Sequence, residues 1–99
     1  MSKIEIAFQA GFENDEVVVE MNNSRKIYSG LTTDYSIGLA ERVVLESQSD
    51  SATLDIELPK RNQDIHLDVD LSKDVYVKVN LTPDGKLQVE EGDAEAAYF

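Results

Sequence analysis

The sequence predicts an all-β fold, a two-sheet antiparallel β-sandwich of seven or eight strands. Three observations carry this expectation. Apolar side chains recur at every second position in run after run, the period of a half-buried strand (Ile65, Leu67, Val69, Leu71, then Val75, Val77, Val79, Leu81). Clusters of turn-forming residues separate the runs at roughly 8–12-residue spacing. The chain of 99 residues is also too short for two independent cores, so these runs share one. Residues 1–92 are accordingly assigned to a single sandwich domain, and residues 93–99 to an acidic, flexible C-terminal tail.

Taken in order, the first strand covers about residues 3–10, with Ile4, Ile6 and Phe8 facing the core. A polar turn over 13–16 precedes a second strand marked by Val17, Val19 and Met21, with Val18 on its other face. Asparagine at 22 and 23 tolerates a left-handed turn, and residues 26–31 follow as a third strand with Ile27 and Leu31 directed inward. Residues 36–47 are open to two readings. Leu39, Val43 and Leu45 fit a strand, while Leu39 with Val43 and Ala40 with Val44 fit a helix of about three turns. Gly38 and the β-branched pair Val43 and Val44 favour the strand. After a turn at 48–51, Leu54, Ile56 and Leu58 define a further strand, which Pro59 ends.

The last third reads as a meander of three strands. Only Ser72, Lys73 and Asp74 separate Leu71 from Val75, a connection short enough for a hairpin. Across the next turn, Thr82-Pro83-Asp84-Gly85, proline presets a type I geometry and glycine takes the left-handed position after it. A three-residue loop sets Leu81 opposite Leu87 and Val79 opposite Val89. The outer face of this meander then carries two rows, Asp68 with Lys78 and Glu90, and His66 with Asn80 and Gln88. Cross-strand charge pairs of this kind contribute about 0.2–1 kcal/mol each.

This pattern resembles an immunoglobulin-like or transthyretin-like sandwich. The buried tryptophan and cysteine pair of true antibody domains are absent, for the chain has neither residue.

Composition narrows the function. Twenty acidic against nine basic residues give a net charge of −11, which repels phosphate backbones and anionic bilayers, so neither nucleic acid nor membrane is expected as a partner. Without cysteine, neither a disulfide framework nor a thiolate metal site can form. The start alternates apolar and polar residues where a signal peptide would show an apolar run, and no segment offers the roughly 20 apolar residues of a spanning helix. A cytoplasmic location is slightly favoured, with the compartment otherwise undetermined. One histidine and no cysteine leave few ways to activate a nucleophile, and no phosphate loop or zinc motif occurs, so enzymatic activity is not expected.

Four sets of side chains could carry binding. Asp64, His66, Asp68 and Asp70 share one face, but their strand spacing lets one ion reach only two of them. Loops of an antiparallel sandwich alternate between its ends, so the turns at 13–16, 32–36, 59–64 and 82–85 should share a rim. Asp15, Asp34 and Asp84 there are the candidate calcium ligands, opposed by Lys60 and Arg61. Tyr28, Tyr35 and Tyr76 could present an aromatic platform for carbohydrate or peptide. The tail, ending in Tyr98 and Phe99, could dock as a short peptide on a neighbour. The sequence is thus read as a non-catalytic binding or protein-interaction module in a larger assembly, needing no cofactor, with a protein partner and compatible with a homo-oligomer. The alternative is a calcium- or carbohydrate-binding sandwich that uses the acidic rim.

Overall fold

The computed structural model describes residues 2–22 and 24–92, and nearly all the apolar alternation in them becomes extended chain. Eight strands follow one another: β1 (Ser2–Phe8), β2 (Asp15–Met21), β3 (Ser24–Leu31), β4 (Glu41–Ser47), β5 (Ser51–Leu58), β6 (Gln63–Asp70), β7 (Val75–Leu81) and β8 (Leu87–Gly92). They divide into two sheets, β4-β1-β7-β8 (sheet A) and β3-β2-β5-β6 (sheet B). Neighbours are antiparallel, except that β1 runs parallel to β7, with Ile4 beside Val75 and Phe8 beside Val79. The expected β-sandwich is present. Its strand order differs from the immunoglobulin constant-type arrangement, 1-2-5-4 over 3-6-7. The tail lies outside the described residues.

Alternation puts Ile4, Ile6 and Phe8 of β1 against Val17 and Val19 of β2, Leu54 and Ile56 of β5, and Val77 and Val79 of β7, all buried. Phe12, in the β1–β2 loop, meets Phe8 edge to face at 5.7 Å and 88° and closes one end of the core. The ambiguous segment is a strand. A tight turn over 34–39, in which the carbonyl of Asp34 accepts the N–H groups of Ile37 and Gly38, leads into β4, and Gly38 takes φ +72° within it. A helix there would have left the β-branched pair Val43 and Val44 crowded and β1 without a partner along one edge.

Two sequence expectations are corrected. The connection between Leu71 and Val75 is a crossing between sheets and not a hairpin: β6 pairs with β5, and β7 with β1 and β8. A hairpin and a crossing leave the same alternation in the sequence, because both strands face the one core. Four residues, reaching about 13 Å, also suffice to bridge sheets about 10 Å apart. The corner is held by the N–H of Leu71 on the carbonyl of Asp50 (2.7 Å) and by the N–H of Ser72 on the Asp70 carboxylate (2.9 Å). Hence Asp68 opposes Thr53 and not Lys78, and His66 opposes Asp55 and not Asn80. The other half of each row is as expected, with Lys78 opposite Glu90 and Asn80 opposite Gln88, and the β7–β8 register of Leu81 with Leu87 and Val79 with Val89 holds.

The second correction concerns Ile27, which is 58% exposed and lies opposite Val18 on the outer face. The β2–β3 register shifts between Asp15 and Val17, so Tyr28 and Leu31, three residues apart, both face inward. Gly30, at φ +70°, sits in that irregularity. A bulge of this kind reverses the parity that simple alternation assumes.

Glycine is required at two positions of the loop end. Gly85 has φ +79° and its N–H bonds the Thr82 carbonyl at 2.8 Å, as the Pro83-Asp84 turn demands. Gly11 has φ +93°, and a Cβ there would fall 2.7 Å from both Cβ and the carbonyl oxygen of Leu81. Gly11→Ala is expected to cost about 3 kcal/mol, against about 1 kcal/mol for Gly85→Ala, where only backbone strain is added. Denaturant midpoints of the two variants check this; equal midpoints would mean that the chain at Gly11 does not approach Leu81 closely.

Candidate functional site

The loops expected to share a rim do so. Ala10, Gly11, Glu13, Tyr35, Arg61, Thr82, Pro83 and Gly85 line one open groove of about 500 Å³. Its floor is tied by Thr33, whose hydroxyl donates to the Gln9 carbonyl (2.6 Å) and accepts the N–H of Phe12 (3.0 Å). The short 3₁₀ turn Pro59–Arg61, which follows β5 because Pro59 cannot continue the ladder, swings Arg61 over the start of β2. There Nε and Nη2 donate to the two oxygens of Asp15 at 2.7 and 3.1 Å, and the N–H of Glu13 adds a third bond at 2.8 Å. Asp15 is 3% exposed. Its charge is satisfied by a forked cation, and the bond to Asp15 holds the Arg61 guanidinium above its ordinary pKa.

The three candidate calcium ligands meet different fates. Asp15 is bound to Arg61. Asp34 accepts both the N–H and the hydroxyl of Ser36, at 3.0 and 2.6 Å, bonds that hold its carboxyl below the ordinary value. Asp84 lies exposed in the β7–β8 turn. Among the described residues, no three histidine or carboxylate side chains come together in a way that could hold a metal ion.

The tyrosines also separate. Tyr28 packs against the core from edge strand β3, where burial and then the charge of Glu41 push its hydroxyl pKa up. Tyr35 is 73% exposed in the loop groove, its hydroxyl accepting the N–H of Gly11 at 3.2 Å. Tyr76 is half-buried on β7, opposite Glu5 across the β1–β7 pair.

The strongest charge feature lies on the outer face of sheet B. Glu20 of β2, Asp55 and Glu57 of β5, and Asp64, Asp68 and Asp70 of β6 alternate with the inward residues of their strands and project together. Among the outward residues of sheet B, Arg25 of β3 and His66 of β6 are the basic ones. The outer face of sheet A is balanced by contrast, with Lys3, Arg42 and Lys78 set among Glu5, Glu46 and Glu90. His66 is held between two carboxylates, its Nδ1 2.7 Å from Asp55 and its Nε2 3.4 Å from Asp68. The hydrogen bond to Asp55, followed by that residue's charge, holds the imidazole pKa above its usual 6.5.

Sequence reasoning set Arg61 down as an opponent of cation binding, without its partner. It likewise missed Glu5, buried on the outer side of β1 with Arg42 Nε 3.6 Å away. A carboxylate at an outward position of a strand gives no sign in sequence that its neighbours will cover it.

No family model, curated protein or solved structure matches the chain.

Arg61→Met leaves the Asp15 carboxylate buried without its cation and is expected to cost about 2–4 kcal/mol, whereas Lys60→Met on the same turn costs about 0.5 kcal/mol or less. Similar midpoints in denaturant would show that the pair carries no stability. For His66, an NMR titration should give a pKa above 6.5 that falls in Asp55→Asn. Because the folded pKa is the raised one, its stabilisation is complete below the unfolded value and is lost as pH rises through the folded value. A His66 pKa indifferent to Asp55→Asn would contradict the pairing.

Proposed function

We propose that this protein is a non-catalytic interaction module that docks a basic partner on the outer face of sheet B. The observation that carries the reading is the segregation of charge, with six outward carboxylates on the β2, β5 and β6 side against a balanced sheet A. A predominantly acidic surface steers an oppositely charged partner and fixes its orientation. Sheet strands hold these carboxylates at fixed spacing, so docking orders little additional chain.

The chemistry of His66 supports a non-catalytic role. A histidine base needs one nitrogen oriented by a carboxylate and the other directed at the nucleophile. Both nitrogens of His66 face carboxylates, on an exposed strand. Calcium and carbohydrate at the rim receive no comparable support, since Asp15 is bound to Arg61 and the three tyrosines occupy separate places. Among the described residues, no helix is long and apolar enough to cross a membrane.

The expected outcome of affinity capture from the source cells is a partner recovered by the parent and released by moderate salt. That partner should be lost with Asp64→Lys/Asp68→Lys and retained with Lys78→Glu, which alters sheet A. Recovery of the same partner by the Asp64→Lys/Asp68→Lys protein would remove the acidic face from the account.

A further inference from the structure

The sandwich has four edge strands, and three carry features that discourage pairing with another chain. On β3 the register shifts, and Lys26 lies on the inward side opposite Val19. On β6 every outward position from 64 to 70 is charged or histidine, and β8 ends in Glu90, Glu91 and Gly92. Bulges, inward lysines and edge charges are the usual protections of an exposed ladder. Edge β4 lacks them. It pairs with β1 in unbroken register from Ser2 opposite Ser47 to Phe8 opposite Glu41, it contains neither proline nor glycine, and at its centre Val44 is 47% exposed. A groove of about 310 Å³ runs beside it, lined by Met21, Lys26, Val44, Leu45 and Glu46.

We propose that β4 is a homodimer edge, pairing antiparallel with β4 of a second copy about a twofold axis at Val44. The occupant is identified by self-complementarity. In an antiparallel ladder, directly opposed residues share a face, so a twofold axis must fall on a residue and not between two. Centring on Val43 would oppose Arg42 with Val44, and centring on Leu45 would oppose Val44 with Glu46. Centring on Val44 opposes Arg42 with Glu46 of the second copy, and Glu46 with Arg42 of the second copy, with valine on valine between them. On the inward face, Val43 meets Leu45 twice. The outward residues of this strand, arginine, valine and glutamate, are therefore self-complementary in charge about Val44. The other edges do not: β8 about Glu90 would oppose glutamate with glutamate, β6 about His66 would oppose Asp64 with Asp68, and β3 about Ile27 would oppose Arg25 with Ser29. Arg42 keeps Glu5, 3.6 Å from its Nε, on its own subunit and gains a second carboxylate across the axis.

The product is one continuous sheet running from β8 through β4 of one copy to β8 of the other, a closed isologous contact. The outer faces of both B sheets stay free, so the dimer would offer a basic partner two acidic surfaces, although dimerisation does not depend on that reading.

The test is sedimentation of the whole chain over a wide concentration range, comparing the parent with Arg42→Glu and Glu46→Arg alone and in equimolar mixture. The parent should show a reversible monomer–dimer equilibrium. Each charge reversal should weaken it about tenfold or more by setting like charges opposite one another twice. The mixture should recover dimer as a heterodimer. In it the reversed position 42 of one chain faces the reversed position 46 of the other, opposite in sign, and the unaltered Glu46 of the first faces the unaltered Arg42 of the second. Recovery on mixing separates a failed interface from a failed fold, as does circular dichroism of each variant. A parent that remains monomeric throughout, a dimer unaffected by either reversal, or a mixture that dimerises no better than its components would each overturn the proposal.

Discussion

The pairing of β1 with β7 is the constraint from which the rest of the sandwich follows. A strand has two edges. The tight turn at Pro83 to Gly85 gives one edge of β7 to β8, and the N-terminal strand, lying parallel, takes the other. β6 is thereby shut out of sheet A although only Leu71 to Asp74 separate it from β7, and it completes sheet B beside β5. Parallel neighbours require a long crossover, and here nearly the whole domain between residues 8 and 75 serves as that connection.

The distribution of charge is a consequence of this exclusion. Had β6 stood beside β7, Asp68 would face Lys78 and His66 would face Asn80, and the acidic residues would be diluted over a mixed surface. In sheet B, Asp68 faces Thr53, His66 faces Asp55, and Asp64 faces Glu57. Like-signed neighbours at that spacing are destabilising by a few tenths of a kcal/mol each, so the fold tolerates an electrostatic cost on this face. His66 offsets part of it whenever protonated. At the loop end the opposite strategy holds, where Asp15 is buried and fully bonded by Arg61 and Glu13. The buried carboxylate at the loop end is neutralised by a cation, while the outer face of sheet B is left charged.

Alternation made each strand legible in the sequence, because a period of two depends only on which side faces the core. The β7–β8 register was legible too, since Pro83 and Gly85 specify a turn whose geometry counts residues across it. Sheet membership was hidden, for β6 and β7 carry the same inward pattern in either arrangement. Ile27 was misplaced because a bulge shifts parity without altering composition, and Gly30 alone does not announce it. The rim was readable as a place, through the alternation of loops between ends. Its chemistry was not, because the reach of Arg61 to Asp15 spans 46 residues of sequence and depends on the turn at Pro59.

The relation between β1, β6 and β7 can be measured directly by nuclear Overhauser contacts between backbone protons. The structure predicts cross-strand contacts of the parallel kind between Ile6 and Val77, and antiparallel contacts between Leu54 and Leu67. Contacts instead between Val69 and Val77, or between Leu67 and Val79, would place β6 beside β7 as a meander, dissolve the acidic face of sheet B, and contradict the account.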